Sequence, residues 1–160
     1  MEYFEFFKKL SDNKVRYLIC GGFAVNIYGI PRMTADIDLL LDFDKKNILD
    51  FEKIITSSNY KPILPFALNS LLNLSQRKKL KTEKNFIAFS YYNAVSNSMN
   101  IDVIIDLPFL FTELWEQRVV RKAGDTEINL VSVEQLIKMK KYSGRMQDKQ
   151  DIIHLSKFKK

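Results

Sequence analysis

The sequence predicts an α/β (α+β) domain with a mixed sheet flanked by helices and a short helical C-terminus. Three features of the chain point to it. Short apolar runs of strand length alternate with segments of helical periodicity. Two pairs of strand-like runs are joined by polar connectors that suit antiparallel pairing. Cap residues mark where several helices start and stop.

In chain order, "YFEFFKKL" spaces its aromatics as an amphipathic helix, and "VRYLIC", Val15 to Cys20, reads as a short apolar strand running into Gly21-Gly22, hence a tight turn. "FAVNIYGI" gives about two helical turns before Pro31, and "DIDLLLD" is the second strand. Asp44 suits the N-cap of the helix "KKNILDFEKIITSS". The middle, "YKPILPFALNSLLNLSQRKKLKTEKN", carries two prolines and a short helical pattern and reads as a helix-bearing excursion. "FIAFSYY" and "MNIDVIIDL" flank the polar "NAVSNS" as an antiparallel pair. "FTELWEQ" is a turn or two of helix, and "RVVRKAGDTEINLV" is a hairpin turning at Gly124-Asp125. "SVEQLIKMKKYSG" opens with Ser132 and Gln135 in capping-box spacing and closes on Gly144. "RMQDKQDIIHLSKF" is a final short helix, with His154 expected to pack among apolar neighbours.

Composition bounds the rest. At 160 residues and 46% hydrophobic content the chain can bury one core, so residues 1–160 are expected to form a single domain. Its longest apolar stretches are far below the ~20 residues that span a bilayer, and its start lacks a signal-peptide pattern. The expectation is a cytoplasmic protein without membrane contact. Cys20, the lone cysteine, excludes an internal disulfide and a multi-cysteine zinc site and is expected in the core. Much of the basic excess behind the +6 net charge is local, in "RKKLKTEK", Arg77 to Lys84, and the tail "KFKK". Either patch faces phosphates or is simply solvated, and the run Arg77 to Lys84 has no interleaved aromatic platform for nucleic acid.

Chemistry concentrates in "GIPRMTADIDLLLD". Residues i and i+2 of a strand share a face, so Asp36 and Asp38 project side by side while Ile37 points the other way. Two carboxylates so close are tolerable if solvated at a strand end, if one is protonated, or if cations sit between them. Mg²⁺ prefers oxygen ligands, and two metals roughly 3.5–4 Å apart can clamp the attacking and leaving oxygens of a phosphoryl displacement. Asp102, a charge within the apolar run "NIDVIIDL", is the natural third ligand. Asp106 faces the same side about 13 Å further along and reads as a cap or turn residue. Gly21-Gly22 between strand and helix lets backbone N–H groups approach an anion, and the helix start adds its dipole.

With these residues in place, "ICGGFAVNIYGIPRMTADIDLLL" resembles the nucleotidyltransferase fold shared with DNA polymerase beta: a hydrophobic strand, Gly-Gly, a short helix, Asp-x-Asp, and a third acid on a later strand. It is similar above all to small bacterial nucleotidyltransferases with an Arg-x-Ser/Thr-x-Asp-Ile-Asp element, here Arg32, Thr34, Asp36, Ile37 and Asp38, a group that includes relatives of the abortive-infection AbiEii-type toxins. The likeness runs over Tyr17–Asp42, Asn100–Asp106 and Ile128–Ile153. It implies that Gly21 and Gly22 hold nucleotide phosphates, and that Asp36 and Asp38 bind two Mg²⁺ ions. Asp102 would bind one metal and act as base toward an acceptor hydroxyl. The implied reaction moves a nucleotidyl group from a nucleoside triphosphate, ATP as the first expectation, to a hydroxyl, with release of pyrophosphate.

Arg32 and Thr34 are further candidates for the nucleotide, although Arg32 could equally pair with Asp36 or Asp38 and position the turn. Lys140 and Arg145 either face the site from the C-terminal helices, or Lys138, Lys140 and Lys141 form a solvated helix face. Asp148 would then make a weak surface pair with Arg145 or Lys149. The acceptor is open among a protein side chain, the end of a tRNA and a small molecule, and a cognate toxin or antitoxin is an expected partner. The alternative keeps the fold without the activity, as a binding module that acts through a protein partner; a metal held only for stability is a third.

Overall fold

The computed structural model describes residues 2–84 and 86–158. Its elements are α1 (Glu2–Asp12), β1 (Tyr17–Ile19), α2 (Gly21–Ile27), β2 (Asp36–Leu41), α3 (Lys45–Ser57), β3 (Tyr60–Pro62), a 3-10 turn (Leu68–Leu71) and α4 (Leu74–Lys84). They continue as β4 (Ala88–Asn93), β5 (Asn100–Ile104), α5 (Phe111–Glu116), β6 (Val119–Ala123), β7 (Thr126–Leu130), α6 (Val133–Ser143) and α7 (Met146–Ser156). The seven strands form one mixed sheet in the order β3-β4-β5-β2-β1-β7-β6. At its centre β2 runs parallel to β5 and antiparallel to β1, while β1 runs parallel to β7.

Alternation on β2 sorts the two faces. Ile37 and Leu39 are fully buried, as are Ile101 and Val103, their register partners on β5. That apolar face packs against α1 and α3 through Phe6, Leu10, Ile48 and Phe51, with an edge-to-face contact between Phe6 and Phe51 at 6.4 Å. Each such side chain contributes about 1.5–3 kcal/mol by leaving water. The opposite face carries Asp36, Asp38, Asp102 and Ile104, and it is covered only in part. Cys20 is buried, as expected.

The caps act largely as the sequence indicates. Asp44 accepts from the backbone N–H groups of Lys46 and Asn47, and Ser132 accepts from that of Gln135. Gly144 ends α6 in the left-handed conformation, φ +67°, that glycine adopts without strain. The capping box at Ser132 is only half made, because the buried Gln135 side chain donates to Gln117 Oε1 at 2.6 Å instead of turning back. The strand read at Val15–Cys20 is shorter, Tyr17–Ile19, since Cys20 already turns toward α2. Within the central excursion the structure adds an edge strand, β3, paired with β4. Among the described residues no helix is long and apolar enough to cross a membrane. The basic tail is described only to Phe158, and its last two lysines lie outside the described residues.

Candidate active site

The parallel register of β2 and β5 sets Asp38 directly opposite Asp102, and Asp36 opposite Asn100. Three carboxylates therefore share one face at the middle of the sheet. Burial pushes the Asp38 carboxyl up to about 6, and the neighbouring charges of Asp102 and Asp36 push in the same direction. The Arg145 guanidinium and a hydrogen bond from the Gly22 N–H pull the other way and do not prevail. Asp36 is also raised, first by burial and then by Asp102. The face thus holds negative charge that the protein leaves incompletely compensated.

The two glycines are demanded by close approach. Gly21 has φ +62°, and a Cβ there would land on the Asp38 carboxylate; a Cβ on Gly22 would land on the Arg32 guanidinium and stand 2.8 Å from Thr34 Oγ1. Glycine at both positions lets Asp38 and Arg32 converge on the start of α2. Gly21→Ala is expected to destabilise the fold by about 1–2 kcal/mol from the left-handed backbone alone, with further loss because Asp38 must move; a thermal melt measures it. An unchanged melting temperature would mean that the carboxylate is not seated against the turn.

Arg32 pairs with neither Asp36 nor Asp38. Its Nε stands 3.3 Å from Asp151 Oδ2 on α7, while its backbone N–H donates to Asn26 Oδ1. Thr34 Oγ1 donates to the Asp36 carbonyl at 3.2 Å and braces the entry to β2. Lys140 is not on a solvated face. It is 4% exposed and its Nζ lies between Asp148 Oδ1 at 3.2 Å and Asp151 Oδ2 at 2.6 Å. Asp148 is likewise buried, and besides Lys140 it accepts from the Arg145 backbone N–H, so it makes no surface pair with the Arg145 or Lys149 side chain. The buried Lys140, Asp148 and Asp151 and the partly buried Arg32 form a network of two cations and two anions that ties α6, α7 and the segment before β2 together. His154 is exposed instead of packed.

Carboxylates, glycines and network border a single cleft of about 870 Å³, within the usual range of small-molecule sites. Gly21, Gly22, Arg32, Thr34, the three aspartates, Lys140, Tyr142 and Arg145 all line it.

The structure superposes on LnuA, a lincosamide antibiotic adenylyltransferase whose crystal structure is lincomycin-bound, with a TM-score of 0.63 at 15% identity over 97% of this chain and 94% of that one. The chain has the nucleotidyltransferase fold. A provisionally assigned nucleotidyltransferase from Thermotoga maritima gives 0.58 at 14% identity over 95% and 88% of the two chains. ANT(2")-Ia in complex with adenylyl-2"-tobramycin gives 0.57 at 13% over 96% and 84%. No protein-family model and no curated protein matches the sequence.

On this nucleotidyltransferase fold the donor set suits Mg²⁺. Among the described residues no three acidic, histidine or cysteine side chains already close on one point as a finished cage. Mg²⁺ does not need one, because it is usually held by one or two carboxylates together with water and substrate phosphates. Asp38 opposite Asp102 offers oxygen donors only, and the Asp102 charge helps hold the Asp38 carboxyl above its usual range, so the two are a pair of that kind.

Sequence reading missed Asp151, Lys81 and the cleft-lining position of Asp106. Lys81 pairs with Asp106 at 3.3 Å and reaches toward the Tyr142 hydroxyl at 3.5 Å. Asp106 is thus an ion-pair partner in the cleft wall and not merely a strand cap. The i, i+3 spacing of Asp148 and Asp151 was the available signal for the network, since it places both acids on one helix face.

Proposed function

We propose that this chain is a single-domain nucleotidyltransferase that moves a nucleotidyl group from a nucleoside triphosphate, with ATP the first to test, to the hydroxyl of a small-molecule acceptor. The observation that carries the reading is the β2–β5 register, which sets Asp38 against Asp102 on the floor of a cleft with Arg32 and Arg145 on its walls. Bound at Asp36, Asp38 and Asp102, Mg²⁺ would neutralise triphosphate charge and make the acceptor hydroxyl more acidic. Asp102 takes the hydroxyl proton as the acceptor oxygen bonds to the α-phosphorus. The bond from that phosphorus to the bridging oxygen breaks, and pyrophosphate leaves with the electron pair. Gly21 and Gly22 keep the loop free of side chains where the phosphates pass, and Arg32 and Arg145 face the charge that builds on the phosphoryl oxygens. Lys140 acts through Asp148 and Asp151 to hold these walls in place and is a positioning residue.

The likeness to LnuA with lincomycin and to ANT(2")-Ia with adenylyl-2"-tobramycin supports a small-molecule acceptor. A protein acceptor or partner, the setting of AbiEii-type toxins, is the competing class. One experiment separates them: α-labelled ATP, GTP, CTP and UTP with Mg²⁺, offered with a library of hydroxylated small molecules, tRNA and a protein extract. The expected result is label on a small molecule with equal pyrophosphate release, both lost in Asp38→Ala and Asp102→Ala. Label on protein would move the acceptor class. No pyrophosphate from any mixture, with the chain folded, would overturn the enzyme reading in favour of the binding module.

A further inference from the structure

A second cavity, of about 700 Å³, lies beyond the cleft at the C-terminal ends of β2 and β5, beneath α4 and α5. Lys81, Ile104, Asp106 and Leu107 border both spaces, so the Lys81–Asp106 pair stands as the partition between them. Its walls are mainly apolar, formed by Phe43, Leu74, Ile105, Phe109, Phe111 and Leu114. Six charged residues also line it, and of these Arg77 alone is buried. Arg77, the first basic residue of the run "RKKLKTEK", is 8% exposed.

The Arg77 guanidinium lies 4.0 Å over the Phe43 ring and its Nη1 donates to the carbonyls of Leu71 at 2.6 Å and Leu72 at 2.9 Å. Its Nε has no hydrogen-bond partner, and among the described residues no carboxylate stands within ion-pair distance. Burial disfavours its charge, and the one acid that favours it, Asp106, is already paired with Lys81. A buried cation without a carboxylate is costly, and arginine is suited above all to a planar oxyanion. The rim acids are committed elsewhere: Asp42 to Arg16, Asp44 to the cap of α3, Asp106 to Lys81.

We infer that this second cavity binds a small amphipathic carboxylate, with its apolar body among the aromatic and aliphatic walls and its carboxylate beside Arg77. One negative charge matches the one buried cation of the wall that no carboxylate neutralises. The site goes beyond the transfer reaction and holds whether or not the chain transfers nucleotides.

Trp115, the sole tryptophan, stacks on Phe111 at 5.8 Å and so reports on this wall. The test titrates 4-phenylbutyrate and its uncharged amide, 4-phenylbutyramide, into the full chain without nucleotide, following Trp115 fluorescence and calorimetric heat. The carboxylate is expected to saturate both signals and to bind at least tenfold more tightly than the amide. Leu74→Tyr, at a half-exposed position on the cavity wall, is expected to weaken it severalfold, and Arg77→Met to remove the preference for carboxylate over amide. Equal affinity for carboxylate and amide, no saturable signal from either, or binding unchanged in both variants would overturn the proposal. Because the amide comparison uses the unaltered chain, the proposal stays testable even if Arg77→Met fails to fold.

Discussion

Replacing Lys140 by Met is expected to cost the fold about 3–5 kcal/mol, the usual penalty for stripping one partner from a buried ion pair. Lys140 sits between Asp148 and Asp151, which are 5% and 4% exposed. Without it Asp151 keeps Arg32, but Asp148 keeps only the backbone N–H of Arg145. A neutral methionine of similar length preserves the packing, so the loss reports the stranded charge. Urea denaturation at pH 7 measures it. Adding Asp148→Asn to Lys140→Met should recover part of the loss, because the group left behind is then neutral. A denaturation midpoint equal to that of the unaltered chain would show that the network does not hold α6 and α7 against the sheet. The consequence for the cleft is direct, since Arg145 reaches Asp38 from the junction of these two helices.

Asp38→Asn is expected to move stability and activity in opposite directions. The folded chain holds the Asp38 proton up to about pH 6, against an ordinary value of 3.8. Stability from this group is therefore fully present below about pH 4 and is lost as the pH rises through about 6. At pH 7.5 the ionised carboxylate costs the fold about 2–3 kcal/mol, taking 1.36 kcal/mol per unit. Asparagine carries no such cost, so the variant should unfold at higher urea than the unaltered chain at pH 7.5, and the advantage should vanish near pH 4. Nucleotidyl transfer should meanwhile fall by about 10²–10³, the scale for losing one electrostatic contact to the transition state. Mg²⁺ with triphosphate should stabilise the unaltered chain and not the variant. An Asn variant that is less stable at pH 7.5 would contradict the electrostatic account of the site.

Strain of this kind was legible in the sequence because it breaks a local pattern. A carboxylate at every second position entering "DIDLLL", and another inside "NIDVI", cannot be explained by strand burial alone, and the structure aligns Asp38 with Asp102. The antiparallel pairs β4–β5 and β6–β7, the caps at Asp44 and Ser132, and the end of α6 at Gly144 were readable because each depends on residues close together in the chain. Strand β3 was hidden because "YKP" buries only Tyr60 and carries a proline that edge pairing tolerates. The partners of Arg32 and Lys140 were hidden for a different reason. Lys138, Lys140 and Lys141 look alike along α6, and only the packing of α7 decides that Lys140 is the buried one. The same holds for Arg77, whose position reads as a solvated charge run until α4 is laid over the second cavity.

The function proposed for the cleft requires the β2–β5 carboxylates to form a metal-dependent triphosphate site. Calorimetric titration of ATP decides whether they do, run with and without Mg²⁺ on the unaltered chain and on Asp36→Ala/Asp38→Ala. Saturable binding that requires Mg²⁺ is expected, lost in the double variant while that variant remains folded by circular dichroism. Binding that is the same with and without Mg²⁺, or that survives the loss of both aspartates, would show that these carboxylates do not hold the nucleotide through a metal.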